Sequence, residues 1–259
     1  MTFKNEMVLV EVREHVAVVT LNNPPLNMNT VASLLELQEA MEQLSAEDSI
    51  RAIVLTGTGT RAFNVGSDLS GFHSQKGRFV DAKFRMENDI LNLIEWMPKI
   101  VICAVEGHCM GGGTELALSC DMRIISDHAR ISLPEINLGV YPADGGIYRL
   151  PRLTNPSLAL EMCILGEPID AETAYRMGIA NHVVPKGHAA SAAEELAQKI
   201  ASKPFNVVKA IKKGMREMMW RSTADNHEYN LMMLEYVYNH PNAFEGVSAF
   251  LEKRQPDFQ

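Results

Sequence analysis

The chain has 259 residues, 46% of them hydrophobic and 22% charged, with a formal net charge of −8. That length suits one large α/β domain with an appendage, or two small domains, and allows a sizeable core. The acidic balance argues against nucleic-acid and anionic-membrane partners, which select a basic face, although a local basic patch can still receive a phosphate-bearing ligand. No run has the apolar length to span a bilayer. The first fourteen residues carry neither an apolar signal core nor an Arg/Ser-rich presequence, so a cytoplasmic location is expected. Cys103, Cys109, Cys120 and Cys163 form no CxxC pair and no zinc-type cluster. They read as buried, reduced thiols, and no metal is expected.

In chain order, Val16–Leu21 is a short β-branched run closed by Asn22-Asn23-Pro24-Pro25, which predicts a buried strand. Asn29 or Thr30 then caps a helix whose inner face carries Val31, Leu34, Leu35, Met41 and Leu44. Arg51–Thr56 predicts the next strand, ended by Gly57-Thr58-Gly59-Thr60, and after Ala62–Asp68 a polar loop reaches about Asp81. Ala82–Met97 is helical in pattern and Pro98 stops it. Ile100–Val105 is a third strand, leading to Gly111-Gly112-Gly113, a helix over about Thr114–Cys120 and a strand at Met122–Ser126. Alternation of strand and helix through about Val184 predicts an α/β layered fold. From Gly187 onward only helical segments remain, split by Pro204 and Pro241, the last over about Asn242–Arg254. The expected division is therefore 1–187 as the core and 188–259 as a helical region covering it or a neighbouring subunit.

Gly111-Gly112-Gly113-Thr114-Glu115 follows a strand and opens a helix. Glycines there let a ligand approach the backbone, and first-turn N–H groups have no internal partner, so the segment offers an anion site. Gly112 and Glu115, three residues apart, share one helix face. The plain alternative is tight strand–helix packing with Glu115 in solvent. Ala62–Leu69 supplies a second strand-end loop with a glycine, able to aim another amide at the same oxygen. Leu133-Pro134-Glu135-Ile136-Asn137-Leu138-Gly139 sets a second carboxyl among apolar residues, where burial would raise its pKa and suit acid–base work.

These segments resemble the enoyl-CoA hydratase/isomerase (crotonase) superfamily over essentially the full length, through AFNVGSDL (62–69), AVEGHCMGGGTELALSCDMRI (104–124), PEINLG (134–139) and EGVSAFLEKRQPDF (245–258). The resemblance implies a spiral of ββα units, a helical C-terminal oligomerisation region, and a trimer or dimer of trimers. It implies an acyl-CoA substrate, with coenzyme A part of that substrate and no separate cofactor. Carried over by motif, the oxyanion-hole amides are those of Val65 and Gly112. Gly66, Ser67, Asp68 and Gly111 border the thioester, and Pro25 and Leu26 lie near the coenzyme A end. Lys253 meets phosphate from a neighbouring tail or is simply solvated. The hydratase subgroup has two catalytic glutamates, retained here as Glu115 and Glu135, with Glu115 ionised to take a proton from water and Glu135 protonated to supply the α-carbon.

Two departures qualify this reading. Val65 replaces a typical alanine, and Tyr141-Pro142-Ala143-Asp144-Gly145-Gly146 introduces a third carboxyl, Asp144, which is either catalytic or a turn residue capping the next helix. Enoyl-CoA hydration is the expected activity. The rival is an isomerase or C–C bond hydrolase acting on an unsaturated or cyclic acyl-CoA or a diketone, with Asp144 taking part. A non-catalytic RNA-binding or inactive member ranks well below, since the first helix carries Glu36, Glu39 and Glu42.

Overall fold

The computed structural model describes residues 5–70, 76–78, 80–219 and 221–259. The chain opens with a hairpin, β1 (Val8–Arg13) and β2 (Val16–Leu21), and passes into α1 (Val31–Ala46). Thr30 caps that helix: its hydroxyl accepts from Ser33 N at 3.1 Å while Ser33 Oγ accepts from Thr30 N at 2.9 Å. Three repeats of long strand, short strand and helical segment follow. They are β3 (Ala52–Gly57), β4 (Ala62–Asn64) and α2 (Arg85–Trp96); β5 (Ile100–Val105), β6 (His108–Met110) and α3 (Gly112–Ser119); and β7 (Met122–Ser126), β8 (Arg130–Ser132) and a 3-10 turn, Pro134–Leu138. Helices α4 (Gly146–Leu153) and α5 (Pro156–Leu165), strand β9 (Ile169–Asp170), helix α6 (Ala171–Arg176) and strand β10 (His182–Val184) complete the layered part.

The long strands build one sheet in the order β1-β2-β3-β5-β7-β10, parallel except for the opening hairpin. The short strands build a second, β4-β6-β8-β9, with the first three parallel. This is a ββα spiral, as the resemblance implied. The long strands are apolar on both faces because both are covered. One face meets α1, α2 and α3 through residues such as Val19, Leu55, Leu37, Leu44, Ile94 and Leu116. Each buried Val, Leu or Ile of this kind contributes roughly 1.5–3 kcal/mol relative to exposure. The sequence passed over β1 and the short strands, whose two to six residues carry little periodicity of their own. It also started α3 two residues late, since Gly112 and Gly113 already belong to the helix.

The other face of the main sheet is covered by α7 (Ala189–Ala201), which sets Ala189, Ala193, Ala197 and Ala201 against Val18, Val54, Ile102 and Ile124. Small residues at a spacing of four let the helix lie close to the sheet. The boundary expected at Gly187 therefore falls before a helix that belongs to the core. Helices α8 (Phe205–Met218), α9 (Thr223–Tyr238) and α10 (Pro241–Glu252) extend outward. Helix α8 is fastened by ions: Arg216 bonds Glu95 at 2.7 Å and Asp121 at 2.8 Å, and Lys212 bonds Asp121 at 2.7 Å. Among the described residues no helix is long and apolar enough to cross a membrane. The cysteines are free thiols, with Cys103, Cys109 and Cys120 buried. Most of the expected polar loop over Phe72–Val80 lies outside the described residues, and the chain re-enters through a π-helical turn at Val80–Phe84.

The close approach of α3 to β4 makes one glycine irreplaceable. A β-carbon on Gly113 would lie 2.2 Å from the Asn64 carbonyl oxygen. Gly113→Ala is expected to cost about 3 kcal/mol in urea unfolding, the upper range for overpacking against backbone.

Candidate active site

The small sheet assembles the site by register. In the pairing of β4, β6 and β8, Asn64 lies opposite Cys109 and Met110 opposite Ser132. Three parallel strands so aligned release their following residues at one edge, and those residues are the Val65–Asp68 strip, Gly111–Gly112 and Pro134–Glu135. Gly111 N donates to Ser132 O at 3.0 Å, and the Thr114 hydroxyl lies 2.7 Å from Cys109 O and 2.8 Å from Ser132 O. Asn64, buried, ties the loops together: its amide nitrogen donates to Asn27 O at 2.6 Å and Asn29 Oδ1 at 2.7 Å, while its oxygen accepts from Gly66 N at 2.7 Å.

A cavity of about 400 Å³ opens at this edge, lined by residues that include Val65–Leu69, Gly111, Gly112, Glu115, Glu135 and Asp144. Leu69, Leu138, Val140 and Tyr141 give it an exposed apolar rim. Of the substrate-binding residues expected from sequence, Gly66, Ser67, Asp68 and Gly111 line it. Pro25, Leu26 and Lys253 do not. No residue after Asp144 lines it among those described.

The amide assignment also needs correction. Val65 N already donates to Leu26 O at 3.2 Å. Two residues on, Asn29 N donates to Gly66 O at 2.8 Å and Asp68 N to Asn29 O at 3.0 Å, a parallel bridge that turns the intervening Ser67 N–H away from Asn29. Ser67 N and Gly112 N, the latter at the first position of α3, are left without partners among the described residues. The two strips are in contact, since a β-carbon on Gly66 would lie 2.9 Å from Gly112 N.

Glu115 is 2% exposed. Its Oε1 accepts from Gly146 N at 2.8 Å. Burial, opposed by that bond and reinforced by the nearby Glu135 charge, pushes its carboxyl up to about 8. That direction favours the protonated form of Glu115, whose ionised form is the one the resemblance implied. Glu135 comes from the 3-10 turn; its Oε1 would lie 3.3 Å from a β-carbon on Gly111, its Oε2 is buried without a partner, and burial raises its pKa too.

Asp144 is a wall of this cavity and not an exposed turn residue: it is 4% exposed. Burial, then the charges of Glu87 and Glu115, push it up to about 9. Asn88 Nδ2 donates to its Oδ1 at 2.9 Å, and Arg149 donates to its backbone carbonyl at 2.7 Å while bonding Glu95 at 2.7 Å and Asn92 at 2.7 Å. Gly145, at φ 102°, supplies the left-handed turn. Sequence reading missed Glu87, Asn88 and Arg149. A signal for Glu87 existed, because it shares the inner face of α2 with Ile90, Leu91 and Ile94 at helical spacing.

These raised carboxyls carry a stability consequence. Asp144 titrates at about 9 in the folded chain against 3.8 when unfolded, so the folded state holds the extra proton between these values. Stability is therefore lost as pH rises through that window. Asp144→Asn, neutral throughout, is expected to raise the thermal midpoint relative to the parent by an amount that grows from pH 4 to pH 9. A difference independent of pH would contradict this.

The model of the family described as enoyl-CoA hydratase/isomerase matches residues 11–259. The chain is 33% identical over 255 residues to a probable enoyl-CoA hydratase of Bacillus subtilis, covering 96% of each. It is 35% identical to a carnitinyl-CoA dehydratase of Proteus mirabilis, covering 95% of this chain and 96% of that one. The solved structure of an enoyl-CoA hydratase from Bacillus anthracis superposes with a TM-score of 0.94 at 32% identity, covering 98% and 99% of the two chains. With the ββα spiral and the glycine-edged cavity already in place, these matches show that the chain belongs to the enoyl-CoA hydratase/isomerase family.

Proposed function

We propose that the chain is an enoyl-CoA hydratase, adding water across the 2,3-double bond of an enoyl-CoA thioester. The observation that carries this reading is the juxtaposition of two partnerless amides, Ser67 and Gly112, with the carboxyls of Glu115 and Glu135 in one apolar-rimmed cavity. The thioester oxygen accepts from both amides. As water adds at carbon 3, charge moves onto that oxygen, and each donor is worth ~3 kcal/mol in the transition state. One carboxylate takes the proton of the attacking water while the other carboxyl gives its own to carbon 2. The pair thus holds one proton before and after, the state that mutual repulsion and burial favour. The hydratase and dehydratase names of similar proteins support the same addition–elimination chemistry.

A second reading follows from Asp144, whose buried place in the wall suits an isomerase or C–C bond hydrolase in which a third carboxyl handles a further proton. Turnover of a panel of linear, branched and cyclic unsaturated acyl-CoA esters in ¹⁸O-labelled water, followed by mass analysis, separates the readings. Hydration adds one labelled oxygen to an intact acyl chain, isomerisation adds none, and hydrolysis of a C–C bond opens or shortens it. Glu115→Gln and Glu135→Gln are each expected to lower kcat by at least ~100-fold, the range for losing a general acid or base. Binding of a saturated acyl-CoA, read by calorimetry, should change only a few-fold. Unchanged rates in both variants would refute the acid–base assignment.

Self-association is part of the proposal. Phe244, Val247, Phe250 and Leu251 form one exposed face of α10, with Phe250 81% exposed. Tyr236 and Tyr238 are exposed on α9. Apolar area of this kind marks an interface, and a trimer or dimer of trimers built on it would offer Lys253, which does not line its own cavity, to a neighbour's site. Phe250→Asp is expected to yield smaller species in analytical ultracentrifugation; an unchanged assembly would place the interface elsewhere.

A further inference from the structure

Asn64 is the last residue of β4 and is 1% exposed, with both polar atoms of its side chain engaged. Gly66 N is a donor alone, so the atom it meets at 2.7 Å is the side-chain oxygen, and the nitrogen opposite must face acceptors. It does: Asn27 O lies 2.6 Å away and Asn29 Oδ1 2.7 Å. One planar group thus spans the loop that leaves its own strand and the Asn27–Asn29 segment that leads into α1. The start of α3 packs against it, since a β-carbon on Gly113 would lie 2.7 Å from Asn64 Oδ1.

What these bonds hold is the direction of one N–H. Gly66, at φ 82°, has no side chain to resist rotation of the peptide groups on either side. The group before it is held by its N–H, which donates to Asn64 Oδ1. The group after it, between Gly66 and Ser67, is held by its carbonyl, which accepts from Asn29 N at 2.8 Å. In a planar trans peptide the C=O and the N–H point in opposite directions. Fixing Gly66 O on Asn29 therefore fixes Ser67 N–H on the far side. Asn29 is in turn held through its side chain by Asn64. Asn64 thus acts on both of the peptide groups that lead to the Ser67 amide, one directly and one through Asn29.

We propose that Asn64 is a positioning residue of the oxyanion hole, aiming Ser67 N–H at the thioester oxygen by holding Gly66 directly and Asn29 through its side chain. This rests on the pair of amides in the hydratase reading above, but its first test needs no turnover. The carbonyl stretch of bound butyryl-CoA, labelled with ¹³C at the thioester carbon and measured by infrared difference spectroscopy, reports how strongly the donors draw on that oxygen. In the parent it is expected below the frequency of the free thioester. In Asn64→Ala roughly half of that displacement should be lost, as one of two donors is misaimed. A merely structural role would lower the amount of ligand bound and leave the frequency of the remainder unmoved. Asn29→Leu, which keeps the backbone bridge and removes only the side-chain acceptor, gives the same test if the alanine variant folds poorly. With crotonyl-CoA as the probe, Asn64→Ala should lose at least ~10-fold in kcat while KM stays within about three-fold. A double variant carrying Asn64→Ala and Asn29→Leu should lose no more than Asn64→Ala alone, because both act through one amide group. A stretch unmoved in both single variants overturns the proposal, as do losses that multiply in the double. A parent without any displacement removes the amide pair and the proposal with it. Absence of crotonyl-CoA turnover in a parent that shows the displacement bears on the hydratase reading alone and leaves the stretch to decide.

Discussion

The parallel pairing of three short strands is the constraint on which the rest of the site depends. Strands β4, β6 and β8 contribute only three residues each, yet their register decides which loop residues emerge side by side. A strand slipped by one residue presents its opposite face, and such a slip would send Glu135 away from Gly111 and Ser67 away from Gly112. The buried fastenings here are accordingly dense. Asn64 joins the Asn27–Asn29 loop to the Val65–Asp68 strip through one amide group, and Thr114 lies within hydrogen-bond distance of two strand-end carbonyls. Gly113 allows α3 to start against β4 with no side chain between them.

Burial then raises the pKa of otherwise ordinary carboxyls. One loop holds both Glu115 of α3 and Asp144, the first accepting from the Gly146 amide and the second having its backbone carbonyl bonded by Arg149. The same desolvation that destabilises the chain as pH rises keeps protons available near neutrality. Arg149 links this loop to Glu95, and Glu95 to Arg216 of α8, so the helical region is joined to the site through an ion network. Breaking one partner of such a network leaves an uncompensated buried charge, which is why it fixes geometry more than it adds stability.

The helical region itself divides by composition. Helix α7 has a stripe of alanines and joins the core, whereas α9 and α10 carry bulky apolar residues that no described residue buries. Both look alike as apolar helices in a linear reading; the size of the residue at the inner face separates them, since only small side chains let a helix settle onto a covered sheet.

The sequence by itself determined the layered fold, the long strands, the capped first helix and the two-glutamate motif, because apolar runs, glycine and proline punctuation and helix spacing are local signals. It pointed to Gly112, Glu115 and Glu135 because the glycine-rich helix start and the proline turn carry their chemistry on neighbouring residues. It misplaced one amide by two residues, since the choice between Val65 and Ser67 depends on which N–H is consumed by Leu26 and by the bridge to Asn29, pairings made across more than thirty residues. It left Asp144 undecided between an exposed turn and a catalytic wall, and it passed over Glu87. Only tertiary packing settles the burial of both, and burial is what raises both carboxyls.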